Sequence, residues 1–202
     1  MKNKNIIVIS AAQFEVMPLL EVLEEHNISA KHIEIGIGPI NAAANRSLLD
    51  LKEKRVLFVG TCGKFGKQID TNSPIDLVSS SICKWSPPST RTGQSELIEG
   101  IENPIIFDNL SPISLQLPQK TVLCSPSVTI DPNLAPEEKD CVENMELYSI
   151  AQELKKAASL TIILGITNVV GKTGREEWRL NYMKAASCTA NFIRGRLSLL
   201  ND

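Results

Sequence analysis

The chain lacks an excess of charge of either sign. Its 202 residues include 21 lysines and arginines against 23 aspartates and glutamates, a formal net charge of -2. Proteins that bind nucleic acid or anionic membranes carry a basic patch or stripe, and the mixed charges here form no such footprint. We therefore expect a small-molecule partner, with no nucleic acid and no membrane.

Cysteine pairs and metal-ligand spacings are also missing. The five cysteines include no C-x-x-C pair and have no histidine nearby at metal-ligand spacing. Their odd number is typical of free thiols in a reducing compartment. We expect no metal, no cofactor and a cytoplasmic location.

No apolar run reaches the roughly 18 to 20 residues that cross a bilayer. The N-terminal "MKNKNIIVISAAQFEV" has a basic start but a short apolar run and no convincing cleavage site, so we expect no signal peptide. Internal repeats are absent. With 43% hydrophobic residues the chain can bury a full core, and its length favours a single domain over residues 1–202.

Strand-like and helix-like segments alternate along the chain. The runs "NIIVIS" and "RVLFVG" predict buried strands, whereas "FEVMPLLEVLEEH" and "NAAANRSLLDLKE" have helical periodicity. The pattern returns with the strand "KTVLCSPSV", a helix over 143–156, the strand "LTIILGITNVV" and a helix over roughly 179–199. Buried strands joined by helices predict an α/β fold of three layers, with a mixed, largely parallel central sheet flanked by helices.

Residues 84–118 interrupt this alternation. The segment holds many of the chain's prolines and serines, and it predicts loops around one short strand rather than a linker between domains. We interpret it as a loop-rich insert in the single domain.

Five segments that follow predicted strands are rich in glycine and small polar residues. They are residues 10–15, 36–39, 60–66, 125–130 and 167–171. In open α/β sheets the ligand binds beyond the carboxyl ends of the strands, where small residues let the backbone approach it. A turn explains any single glycine, but five such ends together favour a binding site.

Six motifs in this order resemble the nucleoside phosphorylase and nucleosidase superfamily. They are "ISAAQFEVMPLL", "IGIGPINAAAN", "VGTCGKFG", "PIDLVSSS", "ENMELYSIA" and "GITNVVG", and they cover nearly the whole chain except residues 84–118. The chain looks most like the methylthioadenosine/S-adenosylhomocysteine nucleosidase branch. The resemblance implies a phosphorylase-like fold and a hydrolase that cleaves the N-glycosidic bond of purine nucleosides.

The resemblance assigns the ribose-binding residues. Met145 and Glu146 match the pair that holds the sugar, with the Glu146 carboxylate taking the 2' and 3' hydroxyls, and Thr61 lies in the turn against the sugar. An ionised carboxylate accepts two hydroxyl donors at once, while Met offers an adaptable apolar surface. Without the surrounding motifs, Glu146 would be interpreted as a solvated carboxylate at a helix start.

Glu15 matches the carboxylate that positions and activates the attacking water. Because hydrolysis of an N-glycoside passes through an oxocarbenium-like sugar, a carboxylate beside the anomeric carbon can orient water and stabilise positive charge. The alternative is an exposed glutamate in a first helical turn. Its neighbours Phe14 and Val16 favour partial burial, and we assign Glu15 to catalysis.

The resemblance also implies residues around the purine and the 5' substituent. The purine-binding set is Cys62, Gly63, Val128, Thr129, Ile130 and Asn168, and the 5' pocket contains Ala12, Ile37 and Trp178. "VGTCGKFG" is not a Walker motif, because no G-K-[ST] follows the glycine spacing. Trp178 provides a large flat wall able to stack on an aromatic 5' group.

Asn168, the second residue assigned to catalysis, departs from the methylthioadenosine nucleosidases. These have Asp at the matching position, which delivers a proton to N7 of the departing base. Asn is not a general acid, and losing a well-placed acid typically costs about 10²- to 10⁴-fold in rate. Two interpretations stay open: a native Asn, as in phosphorylases for 6-oxopurines, or an engineered Asp-to-Asn change that traps substrate. An Asn that merely ends a strand fits "ITNVVG" less well.

The "ITN-x-VG" turn followed by "EEW" resembles the futalosine and aminofutalosine hydrolase subgroup. Substrates of that subgroup carry a benzoate-bearing 5' arm and lie on a menaquinone route. Arg175 or Arg179 is then a candidate partner for the carboxylate. The alternative is that Trp178 belongs to the core and that both arginines are solvated.

The expected activity is therefore hydrolysis of 6-amino-6-deoxyfutalosine or futalosine. Hydrolysis of methylthioadenosine and S-adenosylhomocysteine is the second hypothesis, and phosphorolysis of 6-oxopurine nucleosides is the third. Phosphorolysis needs a phosphate site, and Pro39 stands in the turn where a basic residue is expected. A catalytically silent nucleoside-binding protein is a further alternative. The resemblance also implies a homodimer that completes the 5' pocket, although residues 84–118 lie outside it.

Overall fold

Strands and helices alternate as the sequence pattern predicts. The computed structural model describes residues 6–66, 69, 73–136 and 140–200. Its strands are β1 (Ile6–Ser10), β2 (Ala30–Glu34), β3 (Arg55–Lys64), β4 (Leu77–Trp85), β5 (Ile105–Ile106), β6 (Gln119–Cys124), β7 (Cys141–Glu143) and β8 (Ser159–Val169). Its α-helices are α1 (Met17–Glu25), α2 (Pro39–Ala44), α3 (Pro88–Arg91), α4 (Leu147–Leu154) and α5 (Gly174–Arg194).

Parallel pairing dominates the central sheet. β1 pairs with β2 and β3, β3 pairs with β8, and β6 pairs with β4 and β7, all in parallel. The antiparallel pairs β3 with β7, β4 with β5 and β4 with β8 make the sheet mixed. Because β3 contacts both β7 and β8, the strands β3, β8, β4, β6 and β7 close into a ring. The predicted α/β fold with a mixed, largely parallel sheet is confirmed.

Apolar layers cover both faces of the sheet. Ile6 and Val8 of β1 pack on one face with buried residues of α1 and α5, while Ile7 and Ile9 pack on the other face with those of α2 and α4. Successive side chains of a strand point to opposite faces, so a strand buried on both sides is apolar throughout. The predicted three-layer arrangement is confirmed.

Helix α5 lies close against β8. Its buried face is made mainly of small residues, and a Cβ atom at Gly165 of β8 would lie only 2.7 Å from the Cβ of Ala185. Glycine at 165 is therefore what allows the helix to approach the strand. This contact sets the position of α5 and hence of Trp178, which lies in its N-terminal part.

Several element boundaries differ from the prediction. Helix α5 begins at Gly174 rather than near residue 179, because Glu176 and Glu177 lie in its first turn, where acidic side chains stabilise a helix start. Glu143, the first residue of the helix predicted over 143–156, instead ends the short strand β7, and α4 begins at Leu147. The insert contains the one predicted strand, β5, and also the short helix α3. Within the described ranges no helix is long and apolar enough to span a membrane.

Candidate active site

A cavity of about 500 Å³ lies beyond the carboxyl ends of β1, β3, β7 and β8. All five segments identified from the predicted strand ends contribute to its walls. Parallel strands bring their carboxyl ends to one edge of a sheet, so residues far apart in sequence meet there. The cavity is therefore the candidate site for a small ligand.

Glu15 is a buried carboxyl group in the cavity wall. It ends the 3-10 helix Gln13–Glu15 between β1 and α1, and only 6% of its surface is exposed. Burial, together with the charge of Glu146, raises the pKa of Glu15 to about 7. Its Oε1 accepts a hydrogen bond from the Thr61 hydroxyl at 3.1 Å, and Oε2 has no partner among the described residues. The alternative of an exposed first-turn glutamate is excluded.

Two hydrogen bonds in series connect α5 to Glu15. The indole Nε1–H of Trp178 donates to the Thr61 hydroxyl oxygen at 3.0 Å, and that hydroxyl donates to Glu15. The Trp178 ring stacks on Tyr182 with centroids 5.2 Å apart and meets Phe14 edge-on at 6.0 Å. Trp178 is half-buried and lines the cavity, so it is not an ordinary core residue.

Glu146 is buried, and both of its carboxylate oxygens accept hydrogen bonds. Oε1 accepts the backbone N–H of Gly38 at 2.8 Å, and Oε2 accepts the amide of Asn144 at 3.0 Å. Burial raises the pKa of Glu146, while the Gly38 hydrogen bond opposes that rise. With 6% exposure, Glu146 is not the solvated carboxylate of the alternative interpretation. Met145 beside it is half-buried and also lines the cavity.

Asn144 holds the turn that carries Met145 and Glu146. Its Oδ1 accepts the backbone N–H groups of Glu146 and Leu147 at 3.0 and 2.8 Å, which satisfies the start of α4. Its Nδ2 donates to Glu146 Oε2 and to the Thr61 carbonyl oxygen, both at 3.0 Å. We call Glu15, Thr61, Asn144 and Glu146 the carboxylate side of the cavity.

A β-bulge positions Asn168. Between β3 and β8, Cys62 is paired with Ile166 but Gly63 is paired with Asn168, so Thr167 is an extra residue on β8. Such bulges bend a strand and redirect its side chains, often beside active sites. Here the bulge coincides with the point where Asn168 lines the cavity.

The amide of Asn168 occupies space left by two glycines. A Cβ atom at Gly63 would lie 2.8 Å from Asn168 Nδ2, and one at Gly174 would lie 3.1 Å from it. In the assigned amide orientation, Oδ1 accepts the Thr167 hydroxyl at 3.1 Å and Nδ2 donates to the Val169 carbonyl oxygen at 3.2 Å. The second N–H of this amide has no acceptor in the described part of the chain.

The insert reaches the cavity through a buried ion pair. Arg91, the last residue of α3, donates to Glu143 Oε2 at 3.2 Å, and the two side chains are 5% and 6% exposed. Glu143 lines the cavity and also accepts hydrogen bonds from the N–H and the hydroxyl of Thr129. Arg91 donates to the carbonyl oxygens of Ser86 and Leu134 as well. This ion pair joins the insert to β7 and to the segment around Thr129.

Four other residues of the cavity wall are exposed, and two of them are cations. Val128 and Ile130 are 43% and 63% exposed. The Lys172 and Arg175 side chains are exposed, line the cavity and form no hydrogen bond or ion pair with the residues that the structure describes. Arg179 does not line it. We call Val128, Ile130, Lys172 and Arg175 the open side.

The structure brings most of the predicted site residues together. The cavity is lined by Glu15, Ile37, Thr61, Cys62, Gly63, Val128, Ile130, Met145, Glu146, Asn168 and Trp178. Ala12 and Thr129, predicted at the 5' pocket and the purine, are not among the residues that line it. The Ala12 carbonyl oxygen accepts the Ser10 hydroxyl and the Glu15 N–H, and Thr129 is bonded to Glu143, so both support lining residues.

The prediction misses other residues of the site. Phe14, Glu143, Asn144 and Lys172 line the cavity without having been assigned to it. Asn144 has a sequence signal, because Asn just before a helical segment is a common cap. Arg91, which is paired with Glu143, has no such sequence signal. A lone arginine in a segment rich in proline and serine is ordinarily solvated.

Solved nucleosidase structures share this fold, whereas no family model and no curated protein matches the chain. Helicobacter pylori 5'-methylthioadenosine/S-adenosylhomocysteine nucleosidase is 15% identical, with a TM-score of 0.75 over 100% of this chain and 99% of that chain. An Asp-to-Asn mutant of the Helicobacter pylori enzyme, with 5'-methylthioadenosine in its active site, is 16% identical, with a TM-score of 0.74 over 98% of each chain. Futalosine hydrolase of Helicobacter pylori strain 26695 is 16% identical, with a TM-score of 0.72 over 98% of this chain and 97% of that chain.

These similarities establish the fold. The backbone is shared over nearly the whole chain although identity is only 15% or 16%. The nucleosidase-like fold implied by the sequence motifs is therefore confirmed. Because one fold supports many activities, the activity has to be argued from the side chains of the cavity.

Proposed function

We propose that this protein is a purine nucleoside N-ribosyl hydrolase that uses water as its nucleophile. The observation that carries the proposal is the Glu15 carboxyl group, which is buried, has a pKa of about 7 and leaves Oε2 without a partner in the described ranges. A general base works best when its pKa lies near the working pH and an acceptor atom is within reach of the water. Glu15 meets both requirements.

Glu146 is suited to hold the 2' and 3' hydroxyls of the ribose. Each of its oxygens accepts one hydrogen bond from the protein, and each oxygen of an ionised carboxylate has a second acceptor site. Because Gly38 and Asn144 already orient the carboxylate, the sugar would bind to a preorganised acceptor. Met145 would provide the apolar surface beside the sugar.

The reaction forms one bond and breaks another. The water oxygen attacks C1' while a proton passes from the water to Glu15, and the electron pair of the C1'–N9 bond moves to the purine. The Asn168 N–H donates to N7 and so stabilises the negative charge of the leaving base, which then takes a proton from solvent. In this role Asn168 assists departure of the base without acting as an acid.

Two alternatives have less support. A phosphorylase needs donors for a phosphate dianion. Here the Gly38 N–H is bonded to Glu146, and the Arg46 side chain is 54% exposed, near Glu153 and outside the cavity lining. A silent binding protein would gain nothing from a buried carboxyl oxygen without a partner, because burying such a group is costly.

Within this class we propose futalosine or 6-amino-6-deoxyfutalosine as the substrate, and hence a role in menaquinone biosynthesis. Lys172 and Arg175 on the open side suit an anionic 5' arm, and Trp178 in the same cavity suits an aromatic one. A futalosine hydrolase shares the fold. Methylthioadenosine and S-adenosylhomocysteine are the second candidates, since nucleosidases for them share the fold as well.

The first test is release of free purine from aminofutalosine, futalosine and methylthioadenosine, with and without phosphate. We expect phosphate-independent release, lowered about 10²- to 10⁴-fold in Glu15→Gln with binding largely retained. Equal turnover by Glu15→Gln would remove Glu15 from the mechanism, and a requirement for phosphate would establish a phosphorylase. Activity found only in Asn168→Asp would mean that Asn168 disables the enzyme as it stands.

The second test concerns the 5' arm. We expect Arg175→Gln to raise KM for futalosine about 5- to 10-fold, the effect of losing one exposed charge-assisted contact of about 1 kcal/mol, while KM for methylthioadenosine stays unchanged. The matched control is Arg179→Gln, because Arg179 lies on the same helix but outside the cavity lining. Equal effects of Arg175→Gln on both substrates would contradict an anionic 5' arm.

We also propose a cytoplasmic location, a single domain over residues 1–202 and a homodimer. The cysteines in the described ranges are all free thiols, which suits a reducing compartment. Cell fractionation tests the location, limited proteolysis tests the domain, and sedimentation equilibrium tests the dimer. Residues 1–5, 67, 68, 70–72, 137–139, 201 and 202 of the predicted domain lie outside the described ranges.

A further inference from the structure

The Thr61 hydroxyl lies between an indole donor and the proposed general base. Trp178 Nε1 is 3.0 Å from Thr61 Oγ1, and Thr61 Oγ1 is 3.1 Å from Glu15 Oε1. An indole N–H can only donate, whereas a hydroxyl both donates and accepts. An ionised Glu15 can only accept, so in that state the direction of both bonds is determined: Trp178 donates to Thr61, and the Thr61 proton points to Glu15.

The backbone of Thr61 is held independently of its side chain. Thr61 is paired with Gly165 of β8, and its carbonyl oxygen accepts the Asn144 amide at 3.0 Å. The backbone contacts of Thr61 therefore leave only its χ1 rotamer and the orientation of its hydroxyl hydrogen to be fixed. The indole N–H restricts both, because only an oxygen placed between Nε1 and Oε1 satisfies the two bonds.

The ring of Trp178 also contacts the turn that carries Glu15, independently of its N–H group. Phe14, next to Glu15, meets Trp178 edge-on at 6.0 Å, and its ring centroid is 4.9 Å from that of Tyr182. The aromatic contacts and the indole N–H are therefore separable: phenylalanine at 178 keeps an aromatic ring but has no donor.

We propose that Trp178 is a positioning residue, whose indole N–H fixes the Thr61 hydroxyl as a donor to Glu15 Oε1 and so leaves Oε2 free to hold the attacking water. This inference deepens the proposed function and rests on it. It also predicts a property of the unliganded protein. Without the indole donor, the Thr61 hydroxyl would donate to Glu15 less often, the ionised carboxylate would lose stabilisation, and the pKa of Glu15 would rise above its value of about 7.

Other charged and titratable groups surround Glu15 and are unchanged by a substitution at 178. Glu146 faces it from the start of α4, Glu143 lines the cavity from β7, and Lys172 and Arg175 line it at the α5 side. Two further titratable groups near the Glu15 turn are the Cys62 thiol on β3 and Tyr182, which contacts Phe14. The other two are Glu34, which accepts the Gln13 N–H, and His32, which is bonded to Ser10. A change in the pKa of Glu15 that requires the Thr61 hydroxyl therefore reports on the Trp178 contact.

The test is a ¹³C NMR titration of the unliganded protein with labelled glutamate carboxyl groups, in which Glu15→Gln assigns the Glu15 signal. We expect Trp178→Phe to raise the pKa of Glu15 by about 0.5 to 1 unit. Thr61→Val should raise it at least as much, and adding Trp178→Phe to Thr61→Val should produce no further rise. Tyr182→Phe is the matched control, because it keeps the aromatic cluster and Nε1, and it should leave the pKa unchanged.

An unchanged pKa in Trp178→Phe, or additive shifts in the double variant, would overturn the proposal. Because the titration needs no substrate, it tests the hydrogen-bond series even if no nucleoside is hydrolysed, so that result would count against the proposed function alone. If purine is released, the acidic limb of kcat/KM against pH should move upward by the same amount in Trp178→Phe. A change in KM without that movement would show only the loss of a pocket wall.

Discussion

The two sides of the cavity are built differently. On the carboxylate side, the polar side chains bond to one another and to the turns that carry them, and all but one carboxyl oxygen has a partner within the described residues. On the open side, apolar side chains are exposed and two cations have no partner in the described part of the chain. One side is preorganised by the protein, and the other is left for a ligand to complete.

This difference matches what each side would bind under the proposed function. Two carboxyl groups can lie close together in a buried site only if hydrogen bonds hold them, because burial and mutual repulsion both oppose their ionisation. The ribose and the reacting water are common to all nucleosides, so a fixed geometry suits them. The 5' arm varies between nucleosides, and an exposed, cationic wall can accept it without such precision.

The largest expected effect comes from the ion pair that joins the insert to the cavity wall. Arg91→Met should lower the free energy of unfolding by about 3–5 kcal/mol, because it leaves the buried Glu143 carboxylate without its charged partner. Urea denaturation measures this loss in the free energy of unfolding. The matched control is Arg194→Met, whose partner Glu25 is exposed, and its effect should be much smaller. Similar losses in the two variants would mean that the insert is not held through Arg91.

A smaller loss is expected from removing the amide that organises the carboxylate side. Asn144→Leu removes the hydrogen bonds of Asn144 to Thr61, Glu146 and Leu147, and should lower the free energy of unfolding by about 2–3 kcal/mol. Asn41→Leu is the control, since Asn41 is exposed and, among the described residues, its amide bonds only to the Ile37 carbonyl oxygen.

Asn144→Asp sharpens this test. It keeps the acceptor at the start of α4 but places an oxygen instead of Nδ2 against the Glu146 carboxylate. We expect near-normal helix capping, measured by circular dichroism, together with a raised KM for nucleosides. An unchanged KM would show that Glu146 does not depend on Asn144 for its orientation.

The smallest expected effect has the opposite sign, because Glu15 is a cost to stability. Its folded-state pKa of about 7 exceeds the usual 4.5, so the native state binds more protons than the unfolded state between these pH values. The free energy of unfolding therefore falls as pH rises from about 4.5 to 7, and the penalty is fully present above pH 7.

Glu15→Gln should remove this penalty. We expect the variant to be about 1–3 kcal/mol more stable than the unmodified protein at pH 8, a gain that disappears near pH 4. Urea denaturation at both pH values measures it, with the exposed Glu21→Gln as control. An equal change at pH 4 and pH 8 would show that the Glu15 carboxyl group is not held in a desolvated state.

Much of the fold could be predicted from local sequence patterns. The apolar runs of β1, β3 and β8 and the helical spacing in α1 and α4 predict those elements, because burial on one or both faces leaves a periodic trace in the sequence. The three-residue strand β7 was missed, since so short a segment has no period to detect. The insert was correctly predicted to hold one short strand, but the helix that carries Arg91 was not.

The candidate site was predictable where a residue belongs to a motif at a strand end, as for Glu15, Glu146 and Asn168. It was not predictable where a residue acts through a distant partner. Trp178 and Thr61 are 117 positions apart, Asn144 and Thr61 are 83 apart, and Arg91 and Glu143 are 52 apart. Ala12 shows the reverse case: it lies at a strand end, but its carbonyl oxygen faces the turn rather than the cavity.

The sequence by itself determined the order of the longer strands and helices, the strand ends that meet at the cavity and the kinds of side chain available there. These follow from hydrophobic periodicity and residue chemistry, which are local properties. Only the tertiary structure decided that Thr61 lies between Trp178 and Glu15, that a bulge turns Asn168 to the cavity, and that burial raises the pKa of Glu15. Hydrogen-bond direction, strand register and desolvation depend on which distant segments come within a few ångströms, and this is set by packing across the whole sheet.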